Sequence, residues 1–195
     1  MCNLYRLHQG ADAVRQLFAK QGLQLSFPEG VPNLEPRDIR ITDPAPIVRM
    51  GPDGALEMVI RRWSWPAPNG KPVFNMRSEG RRFANRCLAI ADGFYEFTAP
   101  ADPRAKRKDK WLFTPVDGEL LGIACTLRTD PKVGEAFSML TAEPSPEVAA
   151  IHNRQIILPR PDQWPSWLDP STSLPASSSW STVSANRITE IGLET

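Results

Sequence analysis

The stretch "KWLFTPVDGELLGIACTL", residues 110–127, contains two apolar runs separated by an Asp-Gly pair. Asp-Gly suits a type I′ turn, which joins neighbouring antiparallel strands. We therefore predict two strands here that pair as a hairpin. Further upstream, "APIVRM" (45–50) and "ALEMVIRRWSW" (55–65) flank the turn sequence "GPDG" and predict a second hairpin.

The rest of the chain also indicates short elements, because it contains 20 prolines, about twice the usual share of roughly 5%. Apolar residues at helical spacing predict a helix at 12–21, which Gly22 ends. There is no βαβ rhythm and no internal repeat, so we expect one α+β domain over 1–195 with a sheet-dominated, mixed or antiparallel β core and a polar C-terminal tail at 184–195. Further strands are expected at 2–7, 86–97, 136–143 and 155–159, and short helices at 78–86, 145–153 and 160–169.

Composition places the chain among ordinary globular proteins. Its 195 residues are 41% hydrophobic, enough to bury a core without disulfides or metals. The net charge of +1 gives no indication of a nucleic-acid partner, so any anion-binding surface must be local. There is no apolar run near the roughly 18 residues of a membrane span and no signal-peptide pattern. We expect a cytoplasmic monomer that does not associate with membranes.

The chain has three cysteines, at positions 2, 87 and 125, and none of them forms a CxxC pair. A small and odd number of cysteines argues against a disulfide framework. Their pattern favours a reducing compartment. Cys2 has a special possibility, since removal of Met1 would leave a free α-amine and a thiol on adjacent carbons. From position alone, a small buried hydrophobe is the better interpretation of Cys2.

Two other residues have the chemistry to work with Cys2. Glu96 lies within the apolar stretch "ADGFYEF" and shares one strand face with Phe94, where a carboxylate must be paired, hydrogen-bonded or functional. The alternative is a glutamate on the wet face of an edge strand. His152 lies at the C-terminus of the helix predicted at 145–153, which it could simply cap, and His8 is explained by a solvated turn.

An arginine-rich segment, "FNMRSEGRRFANR", follows the tryptophans of "WSW" at 63–65. Arginines beside aromatic rings suit single-stranded nucleic acid, where rings stack on bases and guanidiniums bind phosphates. A solvated charged helix beside core tryptophans explains the pattern equally well. The sequence contains no Cys/His cluster at the spacing of zinc ligands, no P-loop and none of the short catalytic motifs of common enzyme classes. We therefore predict no metal and no cofactor.

Taken together, these motifs resemble the SOS response-associated peptidase (SRAP) family over roughly 1–167. The resemblance rests on the order of several weak motifs rather than on any one of them. They are "MC" at Cys2, "NxxP" at 33–36, a tryptophan strand at Trp63, "NxRSE" at 75–79, "CL…ADGFYEF" at 87–97 and "T…IHNR" at 141–154.

The resemblance implies a protein that protects abasic sites in single-stranded DNA by forming a thiazolidine through its mature N-terminal cysteine. It also implies self-processing, in which the same residues release Met1 from Cys2, although an aminopeptidase could do so. The implied reactive set is Cys2, Asn75, Glu96 and His152. The implied DNA-binding residues are Trp63, for base stacking, and Arg77, Arg81, Arg86 and Arg154, for phosphates.

The sequence departs from the family pattern at several positions. Asn3 and Leu4 replace a small residue and an arginine, Phe97 replaces a tryptophan, and 153–156 differ as well. Two alternatives stay open: a cysteine-type peptidase acting on other proteins, and a non-catalytic module that binds single-stranded DNA. A retained Met1 would block imine formation at Cys2.

Overall fold

The computed structural model describes residues 2–100, 102, 104, 106–173 and 180–188. Strands dominate this part of the chain, which confirms the sheet-dominated α+β class. Three α-helices are described, α1 (Ala11–Lys20), α2 (Pro146–Ala149) and α3 (Trp164–Leu168), and a 3₁₀ turn (Pro161–Gln163) precedes α3. The strands are β1 (Leu4–Leu7), β2 (Leu25–Ser26), β3 (Arg37–Arg40), β4 (Pro44–Met50), β5 (Leu56–Trp63), β6 (Trp65–Pro66), β7 (Pro72–Val73), β8 (Asn75–Arg77), β9 (Arg86–Ala91), β10 (Gly93–Thr98), β11 (Asp109–Pro115), β12 (Leu121–Asp130), β13 (Gly134–Ala142), β14 (Gln155–Ile156) and β15 (Val183–Ile188).

The strands form two main sheets. An antiparallel sheet of five strands has the order β15-β11-β10-β1-β3. In the larger sheet, β13, β12, β9, β4 and β5 follow one another, and a parallel pairing of β13 with β5 closes them into a ring. Short strands β14, β2 and β8 extend this ring.

The Asp-Gly stretch does not form the predicted hairpin. A turn does form, with Gly118 at φ 72° and its N–H donating to the Pro115 carbonyl at 3.2 Å. However, β11 before the turn pairs with β10 and β15, whereas β12 after it pairs with β9 and β13. The hairpin prediction was wrong because residues 121–127 are all buried, and such a strand is satisfied in the middle of a sheet rather than in an isolated pair.

A second crossing between the sheets interrupts the stretch 86–97, which we predicted as one strand. It forms two strands, β9 in the ring and β10 in the five-stranded sheet, separated at Asp92. Gly93 is required at this crossing because a Cβ there would lie 2.9 Å from the Phe113 carbonyl oxygen of β11. On its other side β10 pairs with the N-terminal strand β1, where Gly93 stands opposite Arg6.

Local predictions were confirmed where neighbouring residues determine the structure. The helix predicted at 12–21 is α1, and β4 pairs with β5 as the predicted "GPDG" hairpin. Residues 145–153 contain the shorter helix α2, and 160–169 contain the 3₁₀ turn and α3.

Two predictions about the less regular segments need correction. Residues 78–85 form a turn instead of a helix, with Gly80 at φ 69° and the Arg81 N–H donating to the Ser78 carbonyl at 3.1 Å. The weak last strand expected after the Ser-rich segment is β15, which pairs with β11 and includes residues 184–188 of the segment assigned to the polar tail. Met1, the middle of the Ser-rich segment (174–179) and the polar end (189–195) lie outside the described residues.

The N-terminal strand holds a central place in the five-stranded sheet. β1 lies between β10 and β3, and its Tyr5 is completely buried, with its ring 5.2 Å from the Trp63 ring in an edge-on contact. Residue 2 lies two positions before β1 and is hydrogen-bonded to Asn75 of β8, so it is held between the two sheets. None of the described helices is long and apolar enough to cross a lipid bilayer.

Candidate functional site

Cys2 is buried beside the start of β1, with 1% of its surface exposed. Its thiol donates to the Leu4 carbonyl at 3.3 Å. Burial raises the pKa of this thiol well above its ordinary value, and the nearby charge of Glu96 raises it further. Cys2 packs in the hydrophobic core, as the simpler interpretation expects, but the polar groups of Asn75 and Glu96 also lie beside it.

Asn75 connects the ring to the N-terminal residue. It begins β8, which pairs in parallel with β13 so that Asn75 stands opposite Met139. The Asn75 side-chain amide donates to the Cys2 carbonyl at 2.6 Å. Its Oδ1 atom is buried and finds no hydrogen-bond partner among the described residues. A buried oxygen without a donor is costly, so this atom is available to a substrate or water donor.

Glu96 faces the same region from β10, with 3% of its side chain exposed. Its neighbour Tyr95 points to the opposite face, where its hydroxyl donates to Asp38 at 2.9 Å. Alternation along the strand therefore directs Glu96 inward. Burial raises the pKa of Glu96 from 4.5 to about 6.

His152 approaches Glu96 from the segment after α2. Nδ1 of His152 lies 3.0 Å from the Arg154 backbone N–H and 3.1 Å from the Arg154 carbonyl oxygen, so the backbone of Arg154 holds the ring in place. Nε2 lies 4.0 Å from the nearer Glu96 carboxylate oxygen, which is too long for a hydrogen bond. Burial lowers the pKa of His152, which favours the neutral ring. The structure thus brings Cys2, Asn75, Glu96 and His152 to one place.

Three of the predicted phosphate-binding arginines lie near this place. Arg77 and Arg81 are exposed, at the end of β8 and in the following turn. Arg77 stands opposite Thr141 in the pairing of β8 with β13, and Arg154 donates to the Thr141 carbonyl at 2.8 Å. The Arg154 side chain is only 13% exposed and also forms an ion pair with Glu79.

Trp63 and Arg86 do not have the roles predicted for them. Trp63 is completely buried, its indole N–H donates to the Phe74 carbonyl at 3.0 Å, and Tyr5 covers one edge, so it offers no face to a base. Arg86 is 7% exposed, and its guanidinium donates to several carbonyls of 167–172, including that of Thr172 at 2.7 Å. Arg86 therefore anchors the loop after α3 and is not free to bind phosphate.

Sequence reasoning missed the structural importance of Asp92. Its carboxylate accepts hydrogen bonds from the Arg6 side chain and the His8 backbone N–H, and its own N–H donates to the Arg6 carbonyl at 2.9 Å. These contacts fasten the end of β1 to the crossing between β9 and β10. The sequence signal for this role is an acidic residue that stands between an apolar run and a glycine.

A polar cleft of about 490 Å³ extends away from the site between residues 78–82 and 170–173. Arg81 and Arg82 line it together with Glu79, Ser171 and Thr172. Among the described residues, no group of three or more His, Cys, Asp and Glu side chains is arranged to hold a metal ion.

The model of one protein family, described as SOS response associated peptidase (SRAP), matches residues 1–190. The chain belongs to the SRAP family. This membership supports an SOS-associated, peptidase-like protein, in agreement with the motif order noted above. No curated protein matches the sequence.

Solved structures of bacterial proteins share the SRAP-like fold at low sequence identity. A Bordetella bronchiseptica protein is 20% identical with a TM-score of 0.67, covering 96% of this chain and 100% of its own. A Bacteroides thetaiotaomicron protein is 16% identical with a TM-score of 0.72, covering 97% and 93%. A phage-related protein from Bordetella bronchiseptica is 16% identical with a TM-score of 0.68, covering 96% and 94%. At these identities the likeness concerns the fold alone.

Proposed function

We propose that this protein captures abasic sites in single-stranded DNA as a covalent thiazolidine on Cys2. The observation that carries the proposal is the hydrogen bond of Asn75 to the Cys2 carbonyl at 2.6 Å, which holds residue 2 beside Glu96 and His152. Removal of Met1 comes first, because only a free α-amine can form an imine. Glu96 and His152 are also the groups available for releasing Met1 by self-processing.

The chemistry joins two groups of one residue to one carbon. The Cys2 amine attacks the aldehyde of the ring-opened sugar, and the carbonyl oxygen leaves as water to give an imine. The Cys2 thiol then adds to the imine carbon and closes a five-membered ring. One C–N and one C–S bond form, the thiol proton ends on the ring nitrogen, and one water is released. A terminal amine has a pKa of about 7.7–8, so a useful fraction is neutral near physiological pH.

The thiol requires a base, because burial raises its pKa and keeps it protonated. Glu96 lies beside it with a pKa of about 6, close to the working pH, as a proton acceptor should be. The Glu96 carboxylate takes the thiol proton as the C–S bond forms and returns it to the nitrogen. The protonated thiol is also protected from oxidation and from other electrophiles until the imine is in place.

Opening of the sugar ring needs proton transfer at the ring oxygen and at the anomeric hydroxyl. We assign protonation of the ring oxygen to His152, whose Nε2 atom lies 4.0 Å from the Glu96 carboxylate, and removal of the hydroxyl proton to Glu96 itself. The unpartnered Oδ1 of Asn75 accepts a hydrogen bond from the sugar or from the freed amine. Holding all reacting groups within one site replaces encounters in solution with intramolecular steps.

Arginines near the site supply the contacts to the strand. Arg77 is exposed at the end of β8, the strand that begins with Asn75, and the exposed Arg81 lines the polar cleft. The backbone of Arg154 contacts the His152 ring. Guanidinium groups bind phosphate without reading the base. This fits a substrate defined by a missing base rather than by sequence.

The proposal is tested with protein whose N-terminus is verified by mass spectrometry to begin at Cys2. It is mixed with a fluorescent single-stranded oligonucleotide that carries one abasic site, and the products are resolved on a denaturing gel. We expect a heat-stable adduct with wild type and none with Cys2→Ala. An oligonucleotide with a tetrahydrofuran in place of the abasic sugar is the matched control, because it has no aldehyde.

Cys2→Ser separates the two bonds, since it keeps the amine and loses the thiol. We expect a borohydride-trapped imine and strand cleavage by β-elimination, without the heat-stable adduct. If wild type with a free Cys2 forms no heat-stable adduct, the proposal fails. Reversible binding that is indifferent to Cys2→Ala would identify a non-catalytic module, and turnover of peptides would identify a general peptidase.

A further inference from the structure

The guanidinium of Arg154 is held from two sides. On its inner side, Nη2 donates to the Thr141 carbonyl at 2.8 Å and to the Thr141 hydroxyl at 3.2 Å. On its outer side, Nη1 and Nη2 both donate to the Glu79 carboxylate, with Nη2 at 3.0 Å from Oε2. The two-point pair with Glu79 therefore covers the edge that a phosphate would use.

Glu79 reaches this position from a rigid turn. Ser78 is buried, and both its N–H and its hydroxyl donate to the Thr141 carbonyl, at 3.0 and 3.1 Å. Glu79 follows directly, with 48% of its side chain exposed. Arg154 lowers the pKa of Glu79, and Arg77 adds to this effect, so the carboxylate lies in the field of both arginines.

The surroundings of Arg154 distinguish two roles for Glu79, which are to orient the guanidinium or to compete with phosphate for it. A residue that merely orients Arg154 would be needed only if nothing else fixed the guanidinium. Thr141 already fixes Nη2 through two acceptors, so the orientation does not depend on Glu79. A residue that competes with phosphate should instead be charged, exposed toward solvent and bound in the two-point geometry, as Glu79 is.

We propose that Glu79 occupies the phosphate position of Arg154 in the free protein and thereby weakens binding of intact single-stranded DNA. This inference rests on the proposed function, because it assumes that a DNA strand crosses this edge. A strand phosphate and the Glu79 carboxylate cannot share the same guanidinium edge, so binding must break the ion pair. Undamaged strands are then released readily, and retention depends on the covalent bond formed at an abasic sugar.

The test measures reversible binding of a fluorescent oligothymidine without abasic sites, by fluorescence anisotropy at low salt. We expect Glu79→Gln to lower the Kd about fivefold, because exposed ion pairs are worth up to about a factor of five. Glu147→Gln is the matched control. It makes the same charge change on α2, and Glu147 is exposed and interacts with Ser145 rather than with an arginine. We expect the control to change the Kd less than about twofold, because Glu147 is an exposed charge that holds no arginine in an ion pair.

A double substitution shows whether the gain passes through Arg154. In an Arg154→Gln background, Glu79→Gln should give no gain beyond that of the control. An unchanged or higher Kd in the single Glu79→Gln variant, with an unaltered melting temperature, overturns the inference, and a higher Kd identifies Glu79 as an orienting residue. A gain that persists without Arg154 also overturns it.

The adduct assay keeps this inference separate from the proposed function. If wild type forms the heat-stable adduct but Glu79→Gln does not bind intact DNA more tightly, only the role of Glu79 fails. If Glu79→Gln binds more tightly but wild type forms no adduct, only covalent capture fails. If wild type and the variant neither bind nor form an adduct, both fail.

Discussion

Glu96→Gln should make the protein more stable above neutral pH while abolishing covalent capture. Gln has nearly the same shape as Glu but cannot ionise, so it removes a buried charge without leaving a cavity. Burial raises the folded-state pKa of Glu96 from 4.5 to about 6, which means that the ionised form is disfavoured in the fold. The substitution therefore distinguishes the cost of burying the charge, which is measured as stability, from the role of the carboxylate in covalent capture.

The magnitude follows from this pKa. Because the folded-state value is raised, the protonated carboxyl contributes stability below pH 4.5, and that contribution is lost as the pH rises through about 6. Each tenfold change in proton affinity is about 1.4 kcal/mol, so the loss is about 2 kcal/mol at pH 8. For a chain of this length, that corresponds to a melting temperature about 4–8 °C lower than that of the variant.

The assay compares thermal melting of wild type and Glu96→Gln at pH 4.5 and at pH 8. We expect nearly equal melting temperatures at pH 4.5 and a higher one for the variant at pH 8, together with no heat-stable DNA adduct. A variant that is equally or less stable at pH 8 would refute the reasoning. It would mean that interactions of the ionised carboxylate in the fold outweigh its burial.

Two further predictions concern residues that hold the site in place. Arg86→Ala should lower the free energy of unfolding by about 3 kcal/mol in a urea titration, since the carbonyls of Trp167, Asp169 and Thr172 lose the donor that joins them. The matched change Arg81→Ala, at an exposed arginine, should alter it by less than about 0.5 kcal/mol, and equal midpoints would contradict this contrast. Asp92→Ala should cost about 2 kcal/mol in the same titration, because Arg6 and the His8 N–H lose their acceptor. Asp12→Ala, which removes an exposed pair with Arg15 and an acidic residue from the first turn of α1, is its control. An equal effect of the two aspartate substitutions would show that Asp92 does not anchor β1.

Elements whose structure depends on neighbouring residues could be predicted from the sequence. Helix α1 and the hairpin of β4 with β5 follow from spacing and turn chemistry within about 20 residues, and both were confirmed. The inward direction of Glu96 follows from alternation within β10. The Asp-Gly turn at 117–118 also forms, since a turn is itself local.

The choice of strand partners could not be predicted in the same way. A turn brings two segments close, but β11 and β12 each gain two other neighbours that bury them more completely, so the chain changes sheets at the turn. The same reason divides 86–97 between two sheets at Asp92. A local sequence pattern contains no information about the energy of pairing between strands that are distant along the chain.

The sequence by itself determined the family, through the order of its motifs, and from that resemblance it predicts the reactive set of Cys2, Asn75, Glu96 and His152. Only the tertiary structure decided which cations near that set are available to a ligand. Arginine and tryptophan each serve equally well as a structural donor or as a binding surface, and burial chooses between these uses. Arg86 and Trp63 are buried and serve the fold, whereas Arg154 lies at the site and forms an ion pair with the carboxylate of Glu79.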